Sequence, residues 1–399
     1  SREEGEGLPV LFTTYVKTLP PVFENLYLRM PDAIPGAVEF INVDKLAYRV
    51  CQEAGERRWG DGAAVRETSK ESFNSVIVAG TPLGDDGISR TYLEEEVRNV
   101  IKGRGLSTVE EYLEIQRTGR GTGFRERRRR QVWKYMEAWD SGMAARGTGD
   151  FADTMIRAVE LAGQRPEATY RSAVIDEAQD FAPAWLEVLE RLLHDEGPGR
   201  ILMVTDPHQG VYDRGFQIPT AAPDLVRAEL LVNCRNTHQI ANLLRRLGGA
   251  PAAPGAPEGE PVIFVTSQPA HAVAKVGEML EELVVEFQID PANILVLTGH
   301  TALRDRIRAE SPGGFACAAW EDRHDGDIVC ETIHRMKGLE RDAVILATED
   351  DDLGDHLLYV GMSRAVSRLV VVGPSVLMAR LQTGRGQNQE SGTKLGSLP

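Results

Sequence analysis

Short apolar runs separated by amphipathic stretches set the pattern of this chain. Leu8-Pro9-Val10-Leu11-Phe12, followed by Thr13-Thr14-Tyr15, reads as a buried strand ending in polar residues. A second apolar stretch surrounds Val38-Glu39-Phe40-Ile41-Asn42-Val43. From Tyr170 onward strands and helices alternate. Strands are expected at Ser172–Ile175, Ile201–Val204, Glu229–Val232, Val262–Thr266, Asn293–Thr298, Ala343–Thr348 and Arg368–Gly373, and a helix at Trp185–Leu193. Alternation of this kind predicts parallel sheets covered by helices on both faces. The Pro/Gly/Ala segment Gly248 to Pro261 reads as a linker or long loop.

Between these regions, Glu53 to Gly149 has a different texture: charged, glycine-containing and helical in period. It holds a basic stretch that includes Arg125, Arg127, Arg128, Arg129, Arg130 and Lys134, with Trp133, Tyr135 and Trp139 at helical spacing. Such a stretch reads either as a solvated helix whose aromatics pack inward or as a surface that contacts phosphates. The expected organisation is an α/β chain of two parallel-sheet domains with a helical insertion in the first. Residues 1–50 and 150–228 form the first domain, 51–149 the insertion, 229–380 the second domain and 381–399 a disordered tail.

Composition narrows the function classes. The 399 residues suit two or three domains at about 150 residues each. Lys+Arg 45 against Asp+Glu 60 gives −15, which excludes a simple basic coat for nucleic acid but not a local basic groove. No apolar run approaches the roughly 20 residues that span a bilayer, and Ser1 to Gly7 has no secretory character. Cys51, Cys234, Cys317 and Cys330 show no CxxC spacing, so free thiols in a reducing cytoplasm are expected rather than a zinc ribbon or a disulfide framework.

The most informative stretch is Val174-Ile175-Asp176-Glu177-Ala178-Gln179-Asp180, an apolar strand ending in adjacent carboxylates. In open α/β sheets ligands sit at the carboxyl ends of strands. One carboxylate there can hold Mg²⁺ while its neighbour polarises a water. Asp-Glu alone could equally cap a helix, but the string DEAQD resembles motif II of the UvrD/Rep/PcrA-like superfamily 1 helicases. Further stretches resemble the other motifs of that family in order. Val204-Thr205-Asp206-Pro207-His208-Gln209-Gly210-Val211-Tyr212 is similar to motif III, with Thr205 where the family has glycine. Leu231 to Thr237 is similar to motif IV, Glu331 to Glu340 to motif V, and Leu357 to Ala365 to motif VI; Val10 to Tyr15 fits motif Ia.

The resemblance implies two RecA-like domains, ATP and Mg²⁺ as cofactors, and single-stranded or partly duplex DNA as partner. It implies that Asp176 holds Mg²⁺ and that Glu177 orients the attacking water. Gln209, Arg235 and Arg364 would address the γ-phosphate, Arg364 as an arginine finger, and Glu340 the nucleotide sugar. Thr13, Thr14, Tyr212, Thr332 and His334 would touch the nucleic-acid strand, joined by Arg127 and Arg128 of the basic stretch. The implied activity is ATP-dependent translocation or unwinding, 3′→5′.

Two departures qualify the resemblance. No glycine in the chain is followed by lysine, so the phosphate loop GxxxxGK[ST] does not occur in it. In the family that loop precedes motif Ia, so it would be expected ahead of Ser1 if the chain is a fragment of a longer protein; a loop supplied from elsewhere or lost is the alternative, and with it a nucleotide-silent nucleic-acid-binding or regulatory module. An RNA-directed ATPase of the same fold is a third possibility, since fold does not fix substrate. Cys234 also stands where motif IV carries an aromatic, and the tryptophan that follows motif III in well-studied members has no counterpart.

Overall fold

The computed structural model describes residues 7–56, 90–115, 124–147, 149–193, 200–206, 209 and 226–383. It divides into unit 1, Ser1–Pro223, and unit 2, Asp224–Pro399. The sequence expectation placed this division at 228/229.

Unit 1 is built on a parallel sheet of four strands, β1 (Val10–Thr14), β2 (Val38–Asn42), β3 (Ser172–Asp176) and β4 (Ile201–Met203), in the order β2-β1-β3-β4. The register sets Thr14 opposite both Asn42 and Asp176, so three strands end level at their carboxyl edge. Asn42 locks that edge. Its amide donates to the carbonyls of Thr14 (3.1 Å) and Tyr15 (2.7 Å), and its Oδ1 accepts from Asp44 N (3.1 Å) to cap helix α2 (Val43–Glu53). Helix α1 (Leu19–Leu28) follows β1. Because α2 runs to Glu53 and buries Cys51 in the sheet's core, the boundary expected at 50/51 falls inside a helix that belongs to the sheet.

The described part of the insertion is helical. It consists of α3 (Arg90–Glu95), continued by a π-helical turn Glu96–Lys102, then α4 (Val109–Glu114) and α5 (Glu126–Ala145). These helices bury their own core, which includes Val97, Ile101, Tyr112, Trp133, Trp139 and Met143. The aromatics of α5 therefore face inward. Helices α6 (Phe151–Gly163) and α7 (Pro183–Leu192) return to the sheet.

Lys102 joins the insertion to the sheet. Its ammonium is 4% exposed and meets Asp140 of α5 at 2.5 Å, Asp153 of α6 at 2.7 Å and the α6 cap residue Asp150 at 3.1 Å. Three carboxylates around one ammonium raise the Lys102 pKa against its burial. They also crowd one another: burial first, then the Asp150 charge, push Asp153 up to about 6, partly offset by Lys102.

Unit 2 carries a six-stranded parallel sheet ordered β5-β10-β9-β6-β8-β7. Its strands are β5 (Ile263–Thr266), β6 (Ile294–Thr298), β7 (Cys317–Ala318), β8 (Ile328–Thr332), β9 (Arg341–Ala347) and β10 (Ala365–Gly373). Strands β6 and β8 are buried throughout, as central strands of a covered parallel sheet should be, although β8 carries Glu331. Helices α8 (His238–Arg245), α9 (Ala272–Glu281), α10 (Thr301–Glu310), α11 (Asp355–Met362) and α12 (Ser375–Thr383) complete the unit.

Two expectations need correction here. Glu229–Val232 is not a strand: the segment pairs with no sheet, and Leu230 is 95% exposed. The four-residue apolar run has strand composition but no neighbour to pair with, apart from a single bridge of Asn233 to Ala252 just after it. Residues 381–383 belong to α12 rather than to a disordered tail, and 384–399 lie outside the described residues. Strands β7 and β8 were not anticipated.

The Asp153 shift has a definite sign. The folded chain holds this proton more tightly than the unfolded chain does, with a pKa of about 6 against 3.8. The group's contribution to stability is full below about pH 4 and is lost as pH rises through about 6. Asp153→Asn should remove that decline. In urea unfolding from pH 4 to 6.5, the stability difference between variant and wild type should move steadily in the variant's favour; a difference independent of pH contradicts the assigned titration.

Candidate functional site

In unit 1, β3 delivers Asp176 to the carboxyl edge, and the chain then turns through Glu177 at φ 53° and ψ 41°. This left-handed conformation costs a residue with a Cβ roughly 1–2 kcal/mol. Backbone bonds on both sides hold it: Val204 N donates to Ile175 O (2.8 Å), Ala178 N to Val204 O (2.9 Å) and Asp180 N to Glu177 O (3.0 Å).

Side chains extend the same grip. Gln179 Nε2 donates to Glu177 Oε2 at 2.6 Å, and Gln179 Oε1 accepts from Asp206 N at 3.0 Å. Gln209 Nε2 donates to Asp206 Oδ2 at 2.7 Å. A continuous relay thus runs Glu177–Gln179–Asp206–Gln209, from motif II to motif III. Gln179 and Asp206 had been given no role by the sequence, although both stand inside quoted motifs. Their place in the relay depends on β3 and β4 being neighbours.

In unit 2 the structure brings together motifs IV, V and VI. Asn233 Oδ1 accepts from Arg235 N (3.0 Å) and Asn236 N (3.1 Å), a turn that projects Arg235. Asn236 Nδ2 donates to the carbonyls of Ser363 (3.3 Å) and Ala365 (2.5 Å), and Arg341 N to Arg364 O (3.0 Å). Arg235 Nε meets Glu340 Oε2 at 2.7 Å, both side chains about half exposed, so two residues expected to address one nucleotide stand side by side. Arg364 is 1% exposed; its Nε donates to Val360 O and its Nη2 to Ser363 Oγ, each at 2.9 Å. Gly361 lets the motif VI helix lie close to the sheet, since a Cβ there would come within 3.1 Å of Leu346 and 3.3 Å of Ile333.

Motif V has a buried anchor that the sequence did not single out. Glu331, fully buried on β8, meets Arg308 at 2.7 Å, Arg335 at 3.6 Å and Arg304 at 3.8 Å. Beyond it, the short turn Ile333–Met336 carries His334, whose pKa is pushed below its usual value by burial and then by the nearby His300 and Lys337.

Several expected nucleic-acid contacts take other places. Thr13 and Thr14 are 0% exposed, and the Thr14 hydroxyl accepts from Val16 N at 3.3 Å. Because both lie at the end of a strand flanked by β2 and β3, they shape the edge from within instead of facing a strand of DNA. Thr332 is likewise buried at the end of β8. Tyr212 lies outside the described residues.

In the basic stretch, Arg129 is structural. Its Nη1 donates to the carbonyls of Tyr112 (2.8 Å), Leu113 (3.0 Å) and Ile115 (3.0 Å), closing the end of α4. Arg130 pairs with Glu126 at 3.0 Å and Glu110 at 3.5 Å. Arg128 lies over the Phe124 ring at 5.6 Å. Arg127 is exposed and forms no ion pair among the described residues.

Comparison with known proteins finds two family matches. Residues 68–219 match the family profile described as the UvrD/REP helicase N-terminal domain, and residues 327–372 that of the UvrD-like helicase C-terminal domain. Both matches are to helicase domains of the UvrD-like type. The matches include motifs II and III in one domain and V and VI in the other; motifs Ia and IV fall outside them.

The UvrD-like chain is also similar to two solved structures. One is the C-terminal domain of a possible DNA helicase from Lactobacillus plantarum WCFS1, at 24% identity over 38% of this chain and 94% of that one, with a TM-score of 0.30. The other is Arterivirus nonstructural protein 10, a helicase, at 18% identity over 54% of this chain and 42% of that one, with a TM-score of 0.31. The chain thus spans under half the length of the viral helicase. No curated protein matches it. Among the described residues no helix is long and apolar enough to cross a membrane.

The strained turn at Glu177 gives a direct stability test. Glu177→Gly and Glu177→Ala both remove the carboxylate, but only glycine adopts this conformation freely. The Gly variant should be more stable than the Ala variant by about 1 kcal/mol in denaturant unfolding; equal stabilities refute the strain.

Proposed function

We propose that this UvrD-like chain is the motor of an ATP-dependent DNA helicase or translocase that moves 3′→5′ on single strands. The observation that supports this most is the relay Glu177–Gln179–Asp206–Gln209. It couples the residue that would orient water to the residue that would sense the γ-phosphate, and it does so through direct hydrogen bonds. Within unit 2, Arg235 stands beside Glu340, and Arg364 belongs to the same backbone scaffold.

The residues suit ATP and Mg²⁺. Asp176 and Glu177 offer hard oxygen donors, and Mg²⁺ typically takes one or two carboxylates plus phosphate oxygens and water. Bound Mg²⁺ would neutralise charge on the transferring phosphoryl group. Asp176 would hold it, Glu177 would orient water for in-line attack, and the guanidinium groups of Arg235 and Arg364 would meet the charge that develops. The reading also requires a phosphate loop, which these 399 residues do not contain. Arg127 and Arg128 add exposed or half-exposed cations, and four free thiols suit a reducing cytoplasm.

Two measurements test this. The protein as its gene encodes it should hydrolyse ATP faster when single-stranded DNA is added. Glu177→Gln should lower that turnover about 100-fold or more while nucleotide binding survives. A rate indifferent to DNA rejects the motor reading, and the absence of any hydrolysis favours a nucleotide-silent binding module. Replacing Arg127 and Arg128 together with alanine should weaken single-strand binding and flatten its logarithmic salt slope by about 0.7 for each phosphate no longer neutralised. An unchanged slope returns α5 to a purely structural role.

A further inference from the structure

The unit 2 sheet has a carboxyl edge of its own. Thr298 of β6 stands opposite both Thr332 of β8 and Ala347 of β9, so three strands end level. His300, two residues past β6, opens α10 and gives it no side-chain cap. The motif V residue His334 lies close by: after burial, His300 is the next cause of its lowered pKa. The loop after β9, Glu349-Asp350-Asp351-Asp352, brings four consecutive carboxylates to this edge. Asp350 Oδ2 meets His300 Nε2 at 3.0 Å and accepts from Thr348 Oγ1 at 3.2 Å. Glu349 Oε1 meets Arg306 Nη1 of α10 at 2.6 Å. An anion is favoured at the start of a helix, and here the chain places its own carboxylate beside the first residue.

The two ends of this loop are held differently. At the far end Arg380 of α12 meets Asp352 at 2.7 Å and donates to the Leu353 carbonyl at 2.5 Å. Leu353 is buried, and it lies so close to Gly299 that a Cβ there would come within 3.1 Å of it. At the near end the ion pairs are exposed, 69% for the His300 side chain and 39% for Asp350. Exposed pairs of this kind contribute little, because water and salt screen them. A polyanion of higher charge density can therefore take His300 and Arg306 from the loop, while the anchored far end keeps the carboxylates at hand to return.

We infer that Glu349 and Asp350 are an internal stand-in for phosphate, holding His300 and Arg306 until a bound single strand displaces them. This inference rests on the DNA-motor reading and adds to it a built-in competitor that lowers the affinity of unit 2 for the strand.

Amide hydrogen exchange on the whole, unaltered protein tests the displacement. A saturating thymidine oligonucleotide should speed exchange at residues 349–352; exchange that is unchanged or slowed overturns it. Affinity gives a second readout. Glu349→Gln together with Asp350→Asn should tighten strand binding about two- to fivefold, the worth of an exposed ion pair. It should also steepen the logarithmic salt slope by about 0.7 for each phosphate that no longer has to displace a carboxylate. Glu278→Gln together with Glu281→Gln removes the same charge from the exposed face of α9 and should leave both quantities unchanged. An equal rise in that control marks general repulsion and overturns the proposal, as does a loop variant that binds no more tightly than wild type. Those failures leave the motor reading intact, whereas a strand that binds neither wild type nor variant overturns both.

Discussion

The hydrogen-bonded relay across the ends of β3 and β4 is the constraint on which the unit 1 site depends. Glu177 occupies a conformation that its own side chain disfavours, and it stays there because neighbours on both strands hold its backbone and its carboxylate. In the proposed role, a carboxylate fixed in this way would spend no free energy on reorientation. The same bonds continue through Asp206 to Gln209. The motif residues thus form a mechanical unit as well as a set of ligands.

Both units solve a second problem with buried charge. Lys102 among Asp140, Asp150 and Asp153, and Glu331 among Arg304, Arg308 and Arg335, are single charges surrounded by three of opposite sign. Burying a charge is tolerated when it is paired and hydrogen-bonded, and removing one partner is then severe. Each hub lies where positioning matters. Lys102 ties the insertion to the cap of α6, and Glu331 fixes the strand that leads into the motif V turn. These two charge hubs therefore serve geometry.

Much of the candidate site was legible in the sequence because its chemistry is local. DEAQD after an apolar strand, and the ordered motifs behind it, need no tertiary knowledge to be read. Parallel strands announce themselves as apolar runs, and most were found at their places. The misses have physical causes. Glu229–Val232 has the composition of a strand but lacks a neighbour, and strand formation requires pairing. Strand β7 is two residues long, too short to leave a periodic signal. Thr13 and Thr14 look like polar contacts, yet the strands on either side enclose them.

The sequence by itself determined which residue types stand at the ends of the strands, that two helicase-type domains follow one another, and that no phosphate loop lies within these residues. Those are properties of short windows, set by side-chain chemistry and periodicity. The tertiary structure alone decided which of several adjacent arginines is used in packing, since Arg129 and Arg127 are alike in sequence and differ only in what lies within reach. It alone joined Arg235 to Glu340 and Glu177 to Gln209, because such pairings depend on strand order, and strand order is a long-range property that no local pattern encodes.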